Sequence, residues 1–418
     1  MSERTNKQGI KFATLLLLAT SHGAIFRVAY LNSTFYPALR AALNISNEQL
    51  GALTSMYGLV AIVFYGLGGI VADKFKAKYC ISLGLIGTGL MSFWYSTMPS
   101  YATLKFVFMG LAFFNILVFW SAYIKAVRNC GDDSNQGKVF GLNEGIWAGS
   151  SAIFSFIVVG IIGVADSELS GLVLTLRFYT IIYLIFGVLA FFMIDKNEKN
   201  KGEEGGIKLN EIGTALKQPG IYLCAIIIFC AYSIYGAISY LTPYLSDVFG
   251  MDPQGVLLNG VSVVRTYAIG ILAGPIAGVL ADKLGSPSKW IRICMVGAVV
   301  CLGIYIFIPE TANYMFPMIL MLVISCVVSF MRGTYLATMS EARIPMAVAG
   351  TAAGLVSMVG YLPDAFMYSM MGKWLDNYPG LLGYQFIFGY LIILAIVAII
   401  VCTILVRYSK KTINTEEN

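Results

Sequence analysis

The sequence predicts an all-α polytopic membrane protein, with twelve transmembrane helices in two pseudo-symmetric six-helix bundles. Hydrophobic residues make up 58% of its 418 residues and charged residues only 12%, and the mean hydropathy is +0.77. A soluble domain carries about 25% charged residues, so most of this chain must face lipid. The apolar runs reach the roughly 20 residues that a membrane-spanning helix needs and are too long for barrel strands.

Twelve such runs follow one another along the chain, separated by short polar segments and without the alternation typical of strands. We expect one transmembrane helix in each of the ranges 11–36, 47–72, 79–98, 102–128, 140–164, 172–195, 220–248, 254–281, 289–309, 315–341, 346–372 and 384–408.

The placement of lysine and arginine predicts the orientation. With the N-terminus inside, 21 of the 28 basic residues fall at cytoplasmic loops, tails and helix ends, four near outer ends and three within helices. Positive residues are enriched on the cytoplasmic side of membrane proteins. We therefore expect an integral inner-membrane protein of a prokaryote with both termini in the cytoplasm. Topology accounts for the net charge of +6, so lipid rather than nucleic acid is the expected surroundings.

A duplication divides the chain. Gly69, Ala72, Asp73 and Lys74 recur as Gly278, Ala281, Asp282 and Lys283, and GLNEG at 141–145 aligns with GTAAG at 350–354 at the same offset of 209 residues. Two anchors at one offset indicate a parallel repeat of the kind found in transporters. The predicted organisation is an N-terminal half, a polar cytoplasmic linker and a C-terminal half, at 1–195, 196–219 and 220–418.

These motifs resemble the major facilitator superfamily over essentially the whole chain. Its hallmark G-x-x-x-D-[RK]-x-G-x-[RK] lies between the second and third helices, with a weaker copy between helices eight and nine. Lys76 stands where the first copy expects glycine. The resemblance implies the major facilitator fold and a gating motif that stabilises the outward-open state; its residues here are Gly69, Asp73, Lys74, Lys78, Gly278, Asp282 and Lys283.

The charged residues within the apolar runs indicate the charge of the transported substrate. Arg27, Arg265 and Arg332 lie inside predicted helices, whereas Asp364 is the one acidic residue found deep in them. A basic residue at bilayer depth costs at least about 2.5–3.5 kcal/mol and is usually functional. Guanidinium groups bind carboxylates and phosphates bidentately. We therefore expect a positively charged central cavity that accepts an anion. Pairing of one arginine with Asp364 is an alternative.

Polar aromatic residues supply further candidate ligands on the first, seventh and tenth helices. Hydroxyls and ring faces of this kind line ligand cavities, although tyrosines also serve as packing residues. The substrate-binding candidates are Arg27, Arg265, Arg332, Tyr30, Tyr232, Tyr235, Ser239 and Tyr335. Asp364 and His22 are the candidates for proton coupling.

The function that we expect is secondary active transport of a small organic anion (carboxylate, sulfonate or phosphate ester) by alternating access, coupled to a proton, in a monomer. The helix-1 arginine resembles that of major facilitator anion carriers, and the segments IKAVRNCGDDSNQGKVFGLNEG and SEARIPMAVAGTAAG resemble a bacterial branch loosely described as nitrate- or sugar-phosphate-permease-like. Alternatives are anion exchange, multidrug efflux and a transport-dead nutrient sensor.

An enzyme is not expected, because no nucleophile–base pair, metal cluster or nucleotide-binding loop is recognisable. The eight cysteines form no CxxC pair and the chain has one histidine. We therefore expect neither catalytic residues, nor a metal, nor a cofactor, and we interpret the thiols as small apolar packing groups.

Overall fold

The computed structural model describes residues 2–131, 136–194, 213–214, 216–342, 344 and 349–416. Most of the predicted linker, 196–219, lies outside these ranges. Within them the chain forms helices and turns and contains no strand. The α-helices are α1 (Ser2–Ile25), α2 (Asn32–Leu43), α3 (Asn47–Lys74), α4 (Ala77–Ser96), α5 (Tyr101–Ala112), α6 (Ser121–Arg128), α7 (Gln136–Gly163), α8 (Glu168–Met193), α9 (Pro219–Ala237), α10 (Leu241–Asp247), α11 (Val256–Val263), α12 (Ile269–Lys283), α13 (Pro287–Phe307), α14 (Met315–Arg332), α15 (Ala349–Gly360), α16 (Met367–Asn377) and α17 (Leu381–Glu416).

These helices match the membrane-spanning pattern of the sequence. In the described part of the chain each predicted run is mainly helical, and eight helical stretches there are long and apolar enough to cross a membrane by length and composition. Large apolar side chains remain on the surface, and Val164, Phe192 and Phe307 are 83%, 77% and 84% exposed. Such exposure would be costly in water, but it is ordinary for side chains that face hydrocarbon.

Among the described residues, six of the twelve runs are interrupted, which their apolar pattern did not predict. Turns replace helix at 26–31, and π- or 3-10-helical segments occur at Phe113–Trp120, Ile238–Tyr240, Val264–Ala268, Tyr335–Glu341 and Leu362–Ala365.

Proline accounts for part of this pattern. It has no backbone N–H, so it cannot donate the helical hydrogen bond to the carbonyl four residues earlier. Pro243 follows the 3-10 turn Ile238–Tyr240, and Pro363 lies within Leu362–Ala365. In α2, which contains Pro37, the backbone of Phe35 departs from helical values (φ −114°, ψ 36°). Irregular helix turns are frequent at functional sites.

Two compact units can be distinguished within the chain. The first comprises Met1–Leu31, Ala41–Asn44 and Met56–Glu203. The second comprises Asn32–Arg40, Ile45–Ser55 and Glu204–Asn418. Most of α2 and the first turns of α3 therefore pack with helices from the second half of the sequence.

The first unit is held together by close helix pairs with buried hydroxyl bonds. The Ser82 hydroxyl of α4 donates to the Gly187 carbonyl of α8 over 2.7 Å, and the Ser92 hydroxyl donates to the Leu176 carbonyl over 2.8 Å. A Cβ on Gly187 would lie 2.6 Å from a side-chain carbon of Ile86. Glycine at this position therefore allows α4 and α8 to approach closely.

The second unit has an aromatic core around Tyr244 of α10. Its ring contacts those of Tyr305, Tyr384 and Phe388 in edge-to-face arrangements at centroid distances of 5.2–5.4 Å. All four side chains are fully buried. Edge-to-face pairs add about 0.5–1.5 kcal/mol beyond area burial, so this cluster joins α10, α13 and α17 firmly.

Candidate functional site

The strongest candidate site lies in the second unit, where α9 and two helix breaks bring polar aromatic side chains together. Tyr232 and Tyr235 project from α9, one turn apart, and both are half-buried. Their ring centroids lie 6.1 Å apart. The other members are Arg332 at the end of α14, Tyr335 in the following 3-10 segment, and Tyr361 and Asp364 at the break between α15 and α16. We refer to these six residues as the tyrosine–arginine cluster.

Arg332 is the cation of this cluster. Its guanidinium carbon lies 4.4 Å from the ring centroid of Tyr235, a cation–π distance. Protein atoms lie densely around Arg332, although the residue as a whole is exposed. A guanidinium in this position can receive a carboxylate while the ring fixes its orientation.

Hydroxyl groups surround this cation. The hydroxyls of Tyr335 and Tyr361 lie 3.3 Å apart, and the rings of Tyr232 and Tyr361 meet edge to face at 4.8 Å. Tyr361 was not among the residues singled out in the sequence. Its position one residue before the Leu362–Ala365 segment is the only signal that could have indicated it.

Asp364 is the buried acid of the cluster. The Tyr232 hydroxyl donates to Asp364 Oδ2 over 2.7 Å, and the aspartate is 6% exposed. Pro363 and the surrounding 3-10 turn place it there. The structure thus brings together Arg332, Tyr232, Tyr235, Tyr335 and Asp364, which the sequence had proposed separately.

Arg265 lies in the π-helical segment Val264–Ala268 and is 4% exposed. Its Nη2 donates to the backbone carbonyl of Ser33 in α2. Among the described residues no acceptor lies within hydrogen-bond distance of its buried Nε. Tyr235 interacts electrostatically with both Arg265 and Arg332, so both arginines lie near one tyrosine.

Ser239 has a structural contact instead. Its side chain is buried, and the hydroxyl donates to the Gly236 carbonyl over 2.7 Å within the 3-10 turn that follows α9. A serine hydroxyl bound to the preceding turn stabilises the local bend.

The remaining candidates belong to the first unit. Arg27 is 9% exposed, and its Nε donates to the Gly23 carbonyl over 2.8 Å at the end of α1. The Tyr30 ring meets that of Tyr57 at 5.2 Å. His22 is enclosed by aromatic rings, with Nδ1 3.0 Å from the Tyr123 hydroxyl; the rings within 6 Å belong to Phe26, Trp120, Tyr123 and Trp147.

The gating motif is described only in part. Gly69 and Asp73 lie in α3, but their surroundings fall outside the described portion of the chain. Lys74, Asp282 and Lys283 are exposed, and a Cβ on Gly278 would meet no atom within 4 Å.

Two lysines of this region make specific contacts. Lys78 is 3% exposed, and its Nζ lies 4.1 Å from the Phe191 ring centroid. Lys125, which the sequence analysis did not single out, donates to the Ala72 carbonyl in the last turn of α3 over 3.1 Å. A cation at a helix C-terminus stabilises the helix dipole.

A second polar cluster joins α2 and the start of α3 to helices of the second half of the sequence. We call it the polar clasp; it consists of Arg40, Asn47, Asp247, Asp376 and Tyr384. Arg40 Nη2 donates to Asp247 Oδ1 over 3.0 Å, and Arg40 Nη1 donates to Asn47 Oδ1 over 2.8 Å. The Tyr384 hydroxyl donates to Asp247 Oδ2 over 2.8 Å.

Asp376 of α16 caps the N-terminus of α3. Its Oδ1 accepts from the backbone N of Asn47 over 3.0 Å and from the amide side chain of Asn47 over 2.9 Å, and its Oδ2 accepts from the backbone N of Glu48 over 2.7 Å. Partial burial acts to raise the pKa of Asp376, but these hydrogen bonds outweigh it, so the pKa lies below the ordinary 3.8. The cap is therefore an ionised carboxylate at neutral pH.

The clasp also fixes the charge of Arg40. Burial acts to lower the pKa of Arg40, but attraction to the Asp247 carboxylate outweighs it and raises the pKa above its ordinary value. Arg40 is one of the four basic residues that the sequence places near outer helix ends. Its partner Asp247 lies 207 residues away along the chain, so no local pattern could have indicated this ion pair.

These features define a class of protein. A polytopic bundle of helices, with buried arginines and tyrosine hydroxyls at its helix breaks, has the architecture of a membrane transporter. The family model described as Major Facilitator Superfamily matches residues 17–368, and the chain belongs to that superfamily.

Comparison with known proteins supports this assignment. The chain is 30% identical over 387 residues to inner membrane protein YqcE of Escherichia coli (strain K12), with 90% of each chain covered. It is 26% identical over 262 residues to the hexuronate transporter of Bacillus subtilis (strain 168), which covers 59% of this chain and 58% of that one. The crystal structure of nucleoside transporter NupG superposes with a TM-score of 0.72 at 16% identity, covering 95% of this chain and 98% of that chain.

Family and fold together confirm several predictions made from the sequence. The protein is an all-α integral membrane transporter with the major facilitator fold, and it is not an enzyme.

Proposed function

We propose that the protein transports a small organic anion by alternating access, through proton-coupled uptake. In this proposal the sequence halves 1–195 and 220–418 rock about a central site in a monomer whose termini are both cytoplasmic. Gating residues Asp73 and Asp282 would stabilise the outward-open state from the cytoplasmic side. The organic-anion assignment goes beyond the family, and it depends on the tyrosine–arginine cluster.

The observation that carries the proposal is the guanidinium of the exposed residue Arg332 above the Tyr235 ring, with Arg265 near the same tyrosine. An anion that enters a membrane protein exchanges its hydration for fixed donors. Guanidinium supplies two parallel N–H groups in the geometry of a carboxylate. Two arginines lie near one tyrosine, and the single negative charge of Asp364 can balance only one of them. The remaining positive charge favours an anionic ligand.

The aromatic residues indicate what accompanies the charge. Half-buried rings and hydroxyls at Tyr232, Tyr235 and Tyr361 suit a solute with its own hydroxyl groups. The name of the hexuronate transporter of Bacillus subtilis denotes a sugar acid, which combines a hydroxylated ring with one carboxylate. A hydroxylated carboxylate of this size is therefore our preferred substrate among carboxylates, sulfonates and phosphate esters. Arg27 and Tyr30 remain proposed ligands from the first unit.

Proton coupling is proposed for Asp364. It is the buried acid of the cluster and accepts a hydrogen bond from Tyr232. A carboxyl that can alternate between a proton and the attraction of a nearby guanidinium can link proton and substrate binding. His22, in its aromatic surroundings near Tyr123, is the second candidate.

Uptake into proteoliposomes tests the function. We expect labelled D-glucuronate to accumulate under an inward proton gradient, whereas the uncharged analogue D-glucose and the nucleoside uridine do not. Arg332→Lys keeps the charge but loses the planar fork. Loss of one charge-assisted hydrogen bond, at about 1.5–3 kcal/mol, should raise the KM for glucuronate roughly 10- to 150-fold. Arg332→Ala should abolish uptake.

Arg177→Lys is the matched control, because Arg177 is an exposed arginine of α8 outside the cluster, and it should leave uptake unchanged. Equal transport of glucose and glucuronate would refute anion selectivity. If a proton gradient drives no accumulation and labelled glucuronate enters only in exchange for internal unlabelled glucuronate, the transporter is an exchanger and not a symporter. Export of lipophilic cations would support the efflux alternative, and wild-type uptake by Arg332→Ala would remove the assignment of the site.

A further inference from the structure

Arg265 donates a hydrogen bond to the backbone carbonyl of Ser33, which lies four residues before a proline. In a regular α-helix the Ser33 carbonyl would accept a bond from the N–H of residue 37. Residue 37 is proline, which has no N–H. Arg265 Nη2 donates to this carbonyl in its place. The proline thus removes the regular helical donor of a half-buried carbonyl near the start of α2, and the arginine donates to this carbonyl.

This pairing leaves the arginine incompletely satisfied. Arg265 is 4% exposed, and among the described residues its buried Nε has no acceptor within hydrogen-bond distance. Burying a charged group against one neutral carbonyl is costly, because a charge in a low-dielectric site requires a counter-charge or a full set of hydrogen bonds. Nε and Nη2 form the side-on fork of a guanidinium, which is the edge that a carboxylate grips bidentately. One nitrogen of that fork is therefore vacant, and the other holds Ser33.

The hydrogen bond between Arg265 and the Ser33 carbonyl attaches α2 near its start. The other end of this helix is fastened through Arg40, which bonds Asp247 and Asn47 in the polar clasp. Between the two attachments the backbone of Phe35 is not helical. The charge of Arg265 interacts electrostatically with the tyrosines Tyr235, Tyr267, Tyr305 and Tyr368.

We propose that Arg265 is an occupancy sensor: the Ser33 carbonyl and the substrate anion compete for its guanidinium. This inference rests on the proposed anion transport. Without substrate, Arg265 tethers the start of α2. A carboxylate that takes the side-on fork releases the Ser33 carbonyl and loosens α2, so substrate binding is transmitted to the helix that the polar clasp holds at its other end. A ligand shifts a conformational equilibrium only through such a difference in contacts.

Amide hydrogen exchange of the full-length protein in lipid nanodiscs tests the tether. The readout is the exchange of the peptide covering 32–43, since local opening of a helix appears directly as faster exchange. Arg265→Met should raise this exchange without any ligand. Arg292→Met is the matched control, because Arg292 of α13 also donates to a side chain of the same unit, the Thr403 hydroxyl at 3.4 Å, and it should leave exchange at 32–43 unchanged.

Pro37→Ala tests the competition while keeping every charge. It returns an N–H to the Ser33 carbonyl, which frees Arg265 for the anion. D-Glucuronate, measured by radioligand binding, should bind roughly 2- to 10-fold more tightly, the effect of about one hydrogen bond. Saturating glucuronate should raise exchange at 32–43 in the wild type and change it much less in Pro37→Ala.

The outcomes separate this inference from the proposed function. Wild-type exchange in Arg265→Met overturns the tether whether or not glucuronate is transported. Should the wild type transport glucuronate without any change of exchange at 32–43, and should Pro37→Ala bind it with unaltered affinity, the competition is wrong and the transport assignment stands. A wild-type protein that neither binds nor transports glucuronate refutes the proposed function, and the ligand-free Arg265→Met comparison still decides the tether.

Discussion

The carboxylate cap on α3 offers the sharpest test of the polar clasp. Asp376→Asn removes the negative charge and one of the two acceptor oxygens while preserving the size of the side chain. The remaining oxygen can still accept from Asn47, but the new amide group would face the backbone N–H of Glu48, which Asp376 Oδ2 now receives at 2.7 Å. The variant therefore loses one hydrogen bond and the interaction of a charge with the helix N-terminus.

The magnitude follows from these two contributions. A charge at a helix N-terminus contributes about 0.3–1 kcal/mol and a hydrogen bond about 0.5–1.5 kcal/mol. Asp376 and Glu48 are exposed, so solvent screening and replacement by water reduce the sum. We expect a loss of about 1–2 kcal/mol, which corresponds to a roughly 5- to 30-fold increase in the population with the start of α3 undocked.

Amide hydrogen exchange of the peptide covering 45–55 measures this population. Asp376→Asn should accelerate its exchange by the same roughly 5- to 30-fold. Asp166→Asn, at an exposed aspartate in the loop between α7 and α8, is the control and should have no effect there. Unchanged protection at 45–55 would refute the cap, and uniformly faster exchange across the whole chain would show a global effect in place of the local one that we argue.

Three further predictions concern the clasp and the proton. Between about pH 8 and about pH 5 the protection of residues 45–55 from exchange, corrected for intrinsic exchange rates, should stay constant. The pKa of Asp376 lies below its ordinary 3.8. The stability that the Asp376 carboxylate contributes is therefore present above pH 3.8 and is lost only as the pH falls through the lowered pKa. Gly51→Ala should lower the thermal unfolding midpoint, because a Cβ there would lie 2.1 Å from the Tyr368 carbonyl oxygen, whereas Gly303→Ala, with no atom within 4 Å, should not. Asp364→Asn should abolish accumulation of glucuronate driven by a proton gradient but retain exchange of labelled for unlabelled glucuronate; full gradient-driven accumulation would show that Asp364 is not the proton carrier.

The membrane-spanning architecture could be predicted from the sequence because it depends on composition and on local periodicity. A helix that crosses lipid must satisfy its backbone internally and present apolar side chains over about 20 residues. Where the structure describes them, the predicted runs from 11–36 to 384–408 are mainly helical. The duplicated Gly69 and Gly278 motifs likewise led to the superfamily that the comparisons establish.

Only some of the helix breaks could be predicted from residues such as proline. Pro243 and Pro363 mark two of them, but the π-helical segments Phe113–Trp120 and Val264–Ala268 contain no proline or glycine. We expect a π turn to be stabilised by the side chains that pack against it. Such causes lie in distant parts of the chain and leave no pattern in a short window of sequence.

The sequence by itself determined which residues carry charge into the membrane and how often the chain crosses it, since both follow from the cost of placing polar groups in hydrocarbon. Only the tertiary structure decided their partners. It placed Arg332 over Tyr235, bound Tyr232 to Asp364, and joined Arg40 to Asp247 across 207 residues of chain. Hydrogen bonds and ion pairs act over about 3 Å. Which groups come that close depends on how whole helices pack, and that packing cannot be read from a short stretch of sequence.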